Sequence, residues 1–270
     1  MTRRGFSSVG IKNHGLDANV IRRWLDQPEL EVAVEASVGS TNTRLAERRE
    51  AGETLSVLLA EHQSAGRGRH GRRWLSPPGG GLYLSMAREL ARPAADLTAL
   101  SLVAGLAAAD AVTEHSPVRV GLKWPNDLQV GGKKLGGCLI DLKPLDRQRC
   151  LAVIGIGINV DLGGSSGPEQ PWTDLVLAGG ESDRNRLAAL VVRALQRYLE
   201  DFEQTGFEAL RSRWDRYDVL RGRHLRSVGS ARIEGRGMGV DATGALLLAT
   251  ADGIKPFNVG EISLKPVHSG

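Results

Sequence analysis

Twelve residues, Gln63-Ser-Ala-Gly-Arg-Gly-Arg-His-Gly-Arg-Arg-Trp74, hold the densest chemistry in this chain. Four arginines (Arg67, Arg69, Arg72, Arg73) alternate with three glycines (Gly66, Gly68, Gly71), and no acidic residue lies among them. Glycine removes side-chain obstruction and permits positive φ, so backbone N–H groups can approach a ligand. Arginine adds permanent charge and forked donors matched to phosphate or carboxylate. A loop of this kind is expected to wrap an anion. It suits a flexible basic tether for nucleic acid equally well, and the loop alone does not choose.

Three further clusters carry polar or glycine residues at telling places. Lys123-Trp-Pro-Asn-Asp127 puts a lysine at a strand end against a rigid turn, a placement that presents an ammonium at a fixed point. It also describes a lysine snorkelling beside a Trp–Pro packing pair. Within Lys133-Lys-Leu-Gly-Gly-Cys-Leu-Ile-Asp141, Gly136-Gly137 interrupts a strand pattern, which marks a bulge or a close backbone approach. Ile154-Gly-Ile-Gly-Ile-Asn-Val160 alternates small and branched residues and ends near Asn159, a donor and an acceptor. Sheet packing against a helix accounts for either glycine pattern taken singly. No Walker-type loop, dinucleotide glycine fingerprint or nucleophile elbow occurs, and the six histidines are too scattered for a zinc set.

The elements that must position these residues follow from periodicity. Asp17 to Asp26 reads as a short helix closed by Pro28, and residues 31–36 alternate as a strand. Ser40-Thr-Asn-Thr is expected to open a helix with hydroxyls capping free N–H groups, ahead of Arg44 to Glu50. Strands are expected over 54–60, 82–86, 119–123, 127–130, 135–142 and 150–160, with Gly131-Gly132 as a hairpin signal. Pro93 to His115, rich in alanine and leucine, reads as a buried helix. A second long helix takes its cap from Ser182 or Asp183, and a third runs from Phe207 to about Tyr217. Beyond Val219 short strands and Asp–Gly turns resemble a small β-barrel. The expected fold is α+β: a mixed β-sheet main domain flanked by helices (16–217), a small C-terminal β-domain (218–270), and a disordered N-terminus (1–15).

Composition narrows the partners. At 270 residues the chain can bury a substantial core, and 41% hydrophobic with 24% charged residues is ordinary for a globular protein. A net charge of +4 favours anionic small molecules, while 4% aromatic residues argue against a base-stacking surface. Cys138 and Cys150 sit in apolar segments without metal-ligand or disulfide spacing, which suits reduced thiols in the cytoplasm. No signal peptide and no membrane-spanning run is expected.

Taken together and in order, these segments resemble the bacterial biotin protein ligases. The matching pieces are Ser40-Thr-Asn42, Gln63 to Trp74, Lys123-Trp-Pro-Asn-Asp127, Lys134-Leu-Gly-Gly137, Gly157-Ile-Asn159 and the tail from Gly253-Ile-Lys-Pro256 through Gly260-Glu-Ile-Ser-Leu264. The resemblance covers roughly residues 30 to 265, and it implies that 16–217 is the catalytic domain and that 218–270 is an SH3-like β-barrel. It implies ATP-dependent formation of biotinyl-5′-AMP and transfer of biotin to a lysine of a biotin carboxyl carrier domain. Such chemistry needs fixed cations where two anions meet, and no nucleophilic side chain.

By the same resemblance Ser40, Thr41, Asn42 and Gln63 contact biotin. Arg67, Gly68 and Arg69 cover the biotinyl-adenylate, Arg72 meets phosphate, and Lys123 and Arg69 carry the catalytic charge. Gly136 and Gly137 let the strand approach biotin, and Asn159 faces the nucleotide. Mg²⁺ is expected with ATP, its ligands unassigned, and Trp74 is expected in the core. About thirty residues precede the first catalytic strand, which implies the monofunctional type, without the DNA-binding domain and without DNA as a partner. Two other readings remain: a lipoate- or octanoate-type ligase or acyltransferase of related fold, and a non-catalytic nucleic-acid-binding module.

Overall fold

The computed structural model describes residues 15–27, 29–163, 171–228, 233–259 and 263–266. The expected disorder of the N-terminus falls on residues 1–14, and the helix-closing role of Pro28 on residue 28; both lie outside the described residues. The first helix, α1 (Ala18–Leu25), is capped by Asp17, whose carboxylate accepts from the N–H groups of Asn19 and Val20. A left-handed Asp26 (φ 54°) ends it. Then come β1 (Val32–Glu35), α2 (Thr41–Glu50), β2 (Val57–Ala60) and β3 (Gly81–Leu90). They lead into α3 (Leu100–His115), β4 (Gly121–Lys123), β5 (Asp127–Val130), β6 (Lys133–Pro144) and β7 (Cys150–Asn159). Gly131 and Gly132 both take positive φ (57° and 79°) between β5 and β6, which is the backbone a tight right-twisted hairpin requires.

These seven strands form one sheet in the order β1-β2-β3-β7-β6-β5-β4. Only β1 and β2 run parallel among the described pairings; all other neighbours are antiparallel, so the sheet is mixed, as expected. One face packs on α3 and on α4 (Arg184–Thr205), the latter capped by Asp183 through the N–H of Arg186. α3 is long and apolar enough, with the turn before it, to cross a membrane by composition. Its place is inside: thirteen of its sixteen residues are buried between the sheet and α4, so the segment is a core helix. The other face carries α2, which covers one end through a smaller cluster of Leu45, Leu55, Leu58, Ala87, Leu151 and Val153. The rest of that face is left for the site.

After α5 (Glu208–Tyr217) the chain forms β8 (His224–Val228), β9 (Glu234–Val240), β10 (Leu246–Thr250), β11 (Gly253–Phe257) and β12 (Ser263–Pro266). They make a separate antiparallel sheet of five strands, ordered β11-β10-β9-β8-β12. Leu225, Val240, Leu246 and Leu248 join the main core, and Trp124 Nε1 donates to the carbonyl of Gly244 at 3.1 Å. The tryptophan of the Lys–Trp–Pro–Asn–Asp segment is thus a strut between the two sheets.

Candidate active site

Register decides which side chains share the open face. Cross-strand partners point to the same side, so Tyr83, Gly157, Gly137, Asp127 and Lys123 form one row across β3, β7, β6, β5 and β4. Ser85, Gly155 and Leu139 form the next row. Over these rows lies a cavity of about 830 Å³.

Its floor is a buried polar network. Thr41, Asn42 and Gln63 are each less than 9% exposed. Gln63 Oε1 accepts from the backbone N–H of Thr41 at 2.9 Å and from its hydroxyl at 3.1 Å, while Gln63 Nε2 donates to Ser76 Oγ at 3.0 Å. Ser85 Oγ lies 2.8 Å from Thr41 Oγ1 and 2.6 Å from Asn42 Oδ1. A buried network of this kind orients its members, because a displaced donor would be left unpaired in a dry place. Ser40 is buried at the N-cap of α2 but makes no side-chain cap bond, contrary to the expectation; the first N–H of that helix is satisfied by Gln63 instead.

The roof is the arginine–glycine segment, folded back on itself. Gly68 N–H donates to Arg72 O at 2.7 Å and Trp74 N–H to Gly66 O at 2.9 Å. The reversal needs left-handed backbone at His70 (φ 55°) and Gly71 (φ 70°). Arg67, Gly68, Arg69, Arg72 and Arg73 line the cavity. Arg69 donates to Asn126 Oδ1 at 3.3 Å, which spans the opening from the roof to the turn between β4 and β5. Burial, only partly offset by Asp127, lowers the Arg69 pKa, and Arg72 lowers it further.

Two glycines explain how the walls fit. A methyl on Gly155 would lie 2.3 Å from Asn42 Oδ1, and one on Gly157 would lie 2.7 Å from the indole of Trp74. The alternating glycines of β7 therefore let Asn42 and Trp74 lie flat on the sheet. Against that indole stands Lys134, its Nζ 5.5 Å from the ring centroid and 2.6 Å from Asp127 Oδ1. With 16% and 21% side-chain exposure, this ion pair is held largely out of solvent. Lys134 presents a positive charge to the cavity between floor and roof.

The model of the Biotin/lipoate A/B protein ligase family matches residues 34–159, and that of the biotin protein ligase C-terminal domain matches residues 225–265. The bifunctional ligase/repressor BirA of Escherichia coli is 40% identical over 237 residues, covering 87% of this chain and 74% of its own length. The biotin–[acetyl-CoA-carboxylase] ligase of Paracoccus denitrificans is 30% identical over 76% of this chain and 88% of its own. The chain belongs to the biotin protein ligases. Among solved structures, the biotin protein ligase of Aquifex aeolicus, in complex with biotin and ATP, superposes with a TM-score of 0.73. That similarity comes at 30% identity and covers 88% of this chain and 99% of the other.

Within the ligase, most residues singled out from the sequence meet at one place. Ser40, Thr41, Asn42, Gln63, Arg67, Gly68, Arg69, Arg72, Gly137 and Asn159 all line the cavity. Asn159 Nδ2 donates to Thr173 O at 3.0 Å. Two residues do not line it. Gly136 points to the opposite face, where a methyl would strike Gly157 O at 2.6 Å, so its missing side chain serves the approach of β7 rather than of a ligand. Lys123 shares the open face but sits on β4, two strands beyond β6, outside the cavity wall. Burial depresses its ammonium pKa; Asp127 opposes that, and Lys134 and Arg72 add to it.

Sequence reading missed several contributors. Trp74, expected in the core, forms part of the cavity wall. Lys134, Asn126 and Asp127 lie within the Lys123–Asp127 and Lys133–Asp141 segments without a local mark of their own, and Ser85 lies in neither. The Gly155/Gly157 alternation was the usable signal, since two glycines on one face of a strand announce that something flat lies on it. Cys138 lies at the cavity too, with burial pushing its thiol up to about 12.

Proposed function

We propose that this ligase condenses biotin with ATP to biotinyl-5′-AMP, releasing pyrophosphate, and passes biotin to a lysine of a biotin carboxyl carrier domain. One observation carries the reading: a hydrogen-bonded polar floor and a roof of arginines enclose one cavity, with Lys134 between them. The floor of Ser40, Thr41, Asn42 and Gln63 offers paired donors and acceptors, the complement of a buried ureido ring; Gly137 leaves space on β6 beside it. Arg67, Gly68, Arg69 and Arg72 supply charge and backbone N–H groups for the α-phosphate and the new acyl phosphate. Asn159 faces the nucleotide end.

The chemical difficulty is repulsion: a carboxylate must attack a phosphate. Preorganised cations lower that barrier because they act where negative charge concentrates in the transition state. Lys134 is the best-placed such group beside Arg69. Its ion pair with Asp127 and its seat on Trp74 hold it before substrate arrives. Lys123, half-buried and paired across the strands with Asp127, adds to the positive field from one strand further out. In the second step the carrier lysine must reach the anhydride as a free amine, attack the carbonyl and expel AMP.

Mg²⁺ is expected to enter bound to the phosphates of ATP. Among the described residues no group of three or more His, Cys, Asp or Glu side chains converges, which suits an ion held mainly by substrate oxygens and water. Residues 16–217 would bind the small substrates and 218–270 form the β-domain beside them. Free, buried Cys138 and Cys150 fit a reducing, cytoplasmic setting. Incubation with biotin, MgATP and a carrier domain, followed by intact-mass measurement of the carrier, tests the whole reading. A mass gain of one biotinyl group is expected. A gain with lipoate or octanoate instead of biotin would overturn the assignment.

A further inference from the structure

Just outside the cavity stands one carboxylate that touches both its roof and its floor. Asp141 lies on β6, two residues beyond cavity-lining Leu139 and opposite Val153 of β7. Its Oδ2 accepts from Arg67 Nη2 at 2.5 Å and from Asn42 Nδ2 at 2.9 Å. Arg67 belongs to the folded arginine segment. Asn42 belongs to the floor, where its Oδ1 receives Ser85 Oγ and its amide lies on Gly155. A continuous chain of contacts, Ser85–Asn42–Asp141–Arg67, thus runs from the sheet to the roof.

The roof needs such a partner. Arg67, Arg69, Arg72 and Arg73 repel one another, and the segment contains no acid of its own. Among the described residues, the pair with Asp141 is the one salt bridge these four arginines make. A charge-assisted hydrogen bond at this distance has directional as well as Coulombic value. Both partners are nearly half exposed, so the pair opens and closes at modest cost rather than locking the segment shut.

We propose that Asp141 is a positioning residue, a latch that holds the arginine roof over the activated intermediate while it aligns the Asn42 amide in the floor. This rests on the adenylation reading above. A mixed anhydride is lost to water if it escapes before the carrier arrives, so roof retention and transfer yield are linked. Asp141→Asn weakens the two contacts unequally: its amide oxygen can still accept from Asn42, while the bond to Arg67 loses its charge. Asp141→Glu restores the charge.

The experiment loads the full-length chain with biotin and MgATP, removes free substrate rapidly, and follows departure of biotinyl-5′-AMP. Trypsin cleavage between residues 65 and 74 of the ligand-free protein is measured in parallel. Asp141→Asn should release the adenylate about fivefold faster, the factor equivalent to about 1 kcal/mol for an exposed ion pair. It should also be cleaved faster, with KM for biotin within about twofold of wild type by the same logic of a retained acceptor. Asp141→Glu should bring both rates most of the way back. Arg67→Met removes the latch together with a charge aimed at the phosphate, so it should accelerate release at least as much, and adding Asp141→Asn to it should change nothing further. Unchanged release and cleavage in Asp141→Asn, or additive effects in the double variant, would overturn the latch. Should the wild type form no adenylate, the functional reading fails, while the cleavage comparison still decides the latch.

Discussion

Gly157→Ala tests the way the pocket wall is assembled. The added methyl would sit 2.7 Å from Cε2, 2.8 Å from Cζ2 and 2.9 Å from Nε1 of Trp74. Carbon atoms rest at about 3.5–4.0 Å, so the indole must rise by roughly 0.8–1.3 Å. It cannot do so freely, because its own backbone N–H is bonded to Gly66 O and Lys134 stands over the ring. Overpacking of this kind costs about 1–3 kcal/mol. In a chain of this size each kcal/mol lowers Tm by about 2–4 °C, so a fall of about 2–12 °C is expected. The displaced ring also enters the cavity and tilts the Lys134 seat, so biotin affinity should drop by at least about tenfold, or 1.4 kcal/mol. Differential scanning calorimetry and titration calorimetry with biotin read both effects. Gly39→Ala, where a methyl meets open space, should leave Tm within about 1 °C and serves as the control. If Gly157→Ala keeps both its Tm and its biotin affinity, Trp74 is not seated as described and the wall is built differently.

Four further outcomes follow from the same geometry. Lys134→Met should slow pyrophosphate release by about 10²–10³-fold with circular dichroism preserved, the scale of losing one preorganised charge-stabilising group. Lys123→Ala should slow it less, and an equal loss in the two variants would put Lys123 on the reacting groups after all. Burial lowers the His115 pKa, against smaller raising contributions from Glu181. The stability this contributes is complete above about pH 6.5, the unfolded value, and is lost as pH falls through the folded value. Tm should therefore fall on acidification below about pH 6.5, and His115→Gln should flatten that limb; parallel curves would count against it. Finally, biotin with MgATP should protect the segment between residues 65 and 74 from trypsin, since ligands that bind the closed form oppose opening; equal cleavage with and without ligand would exclude closure over the substrates.

Local signals carried much of the fold. α4 and its Asp183 cap, the Gly131–Gly132 hairpin and every strand of the large sheet left periodic or turn marks that backbone geometry obeys directly. Boundaries were less legible. β3 runs from Gly81 to Leu90, several residues past its expected end, because pairing with β7 along its whole length satisfies backbone groups regardless of side-chain pattern. The cap of α2 misled for a similar reason. Ser40 has the right type at the right place but makes no cap bond, and Gln63, in the loop beyond β2, takes the N–H of Thr41 from outside the helix.

The sequence by itself determined which chemistry this protein can support: arginines interleaved with glycines, hydroxyl and amide residues before a helix, and lysines at strand ends, in an order that identifies a ligase. These are properties of residue type and local spacing, and they survive in any representation of the chain. Only the tertiary structure decided which of two lysines faces the cavity, which of two adjacent glycines opens onto it, and that Trp74 is wall rather than core. Each of those outcomes depends on strand order and on the two-residue alternation of strand faces. Pairing partners far apart in sequence set both, and no window of neighbouring residues contains that information.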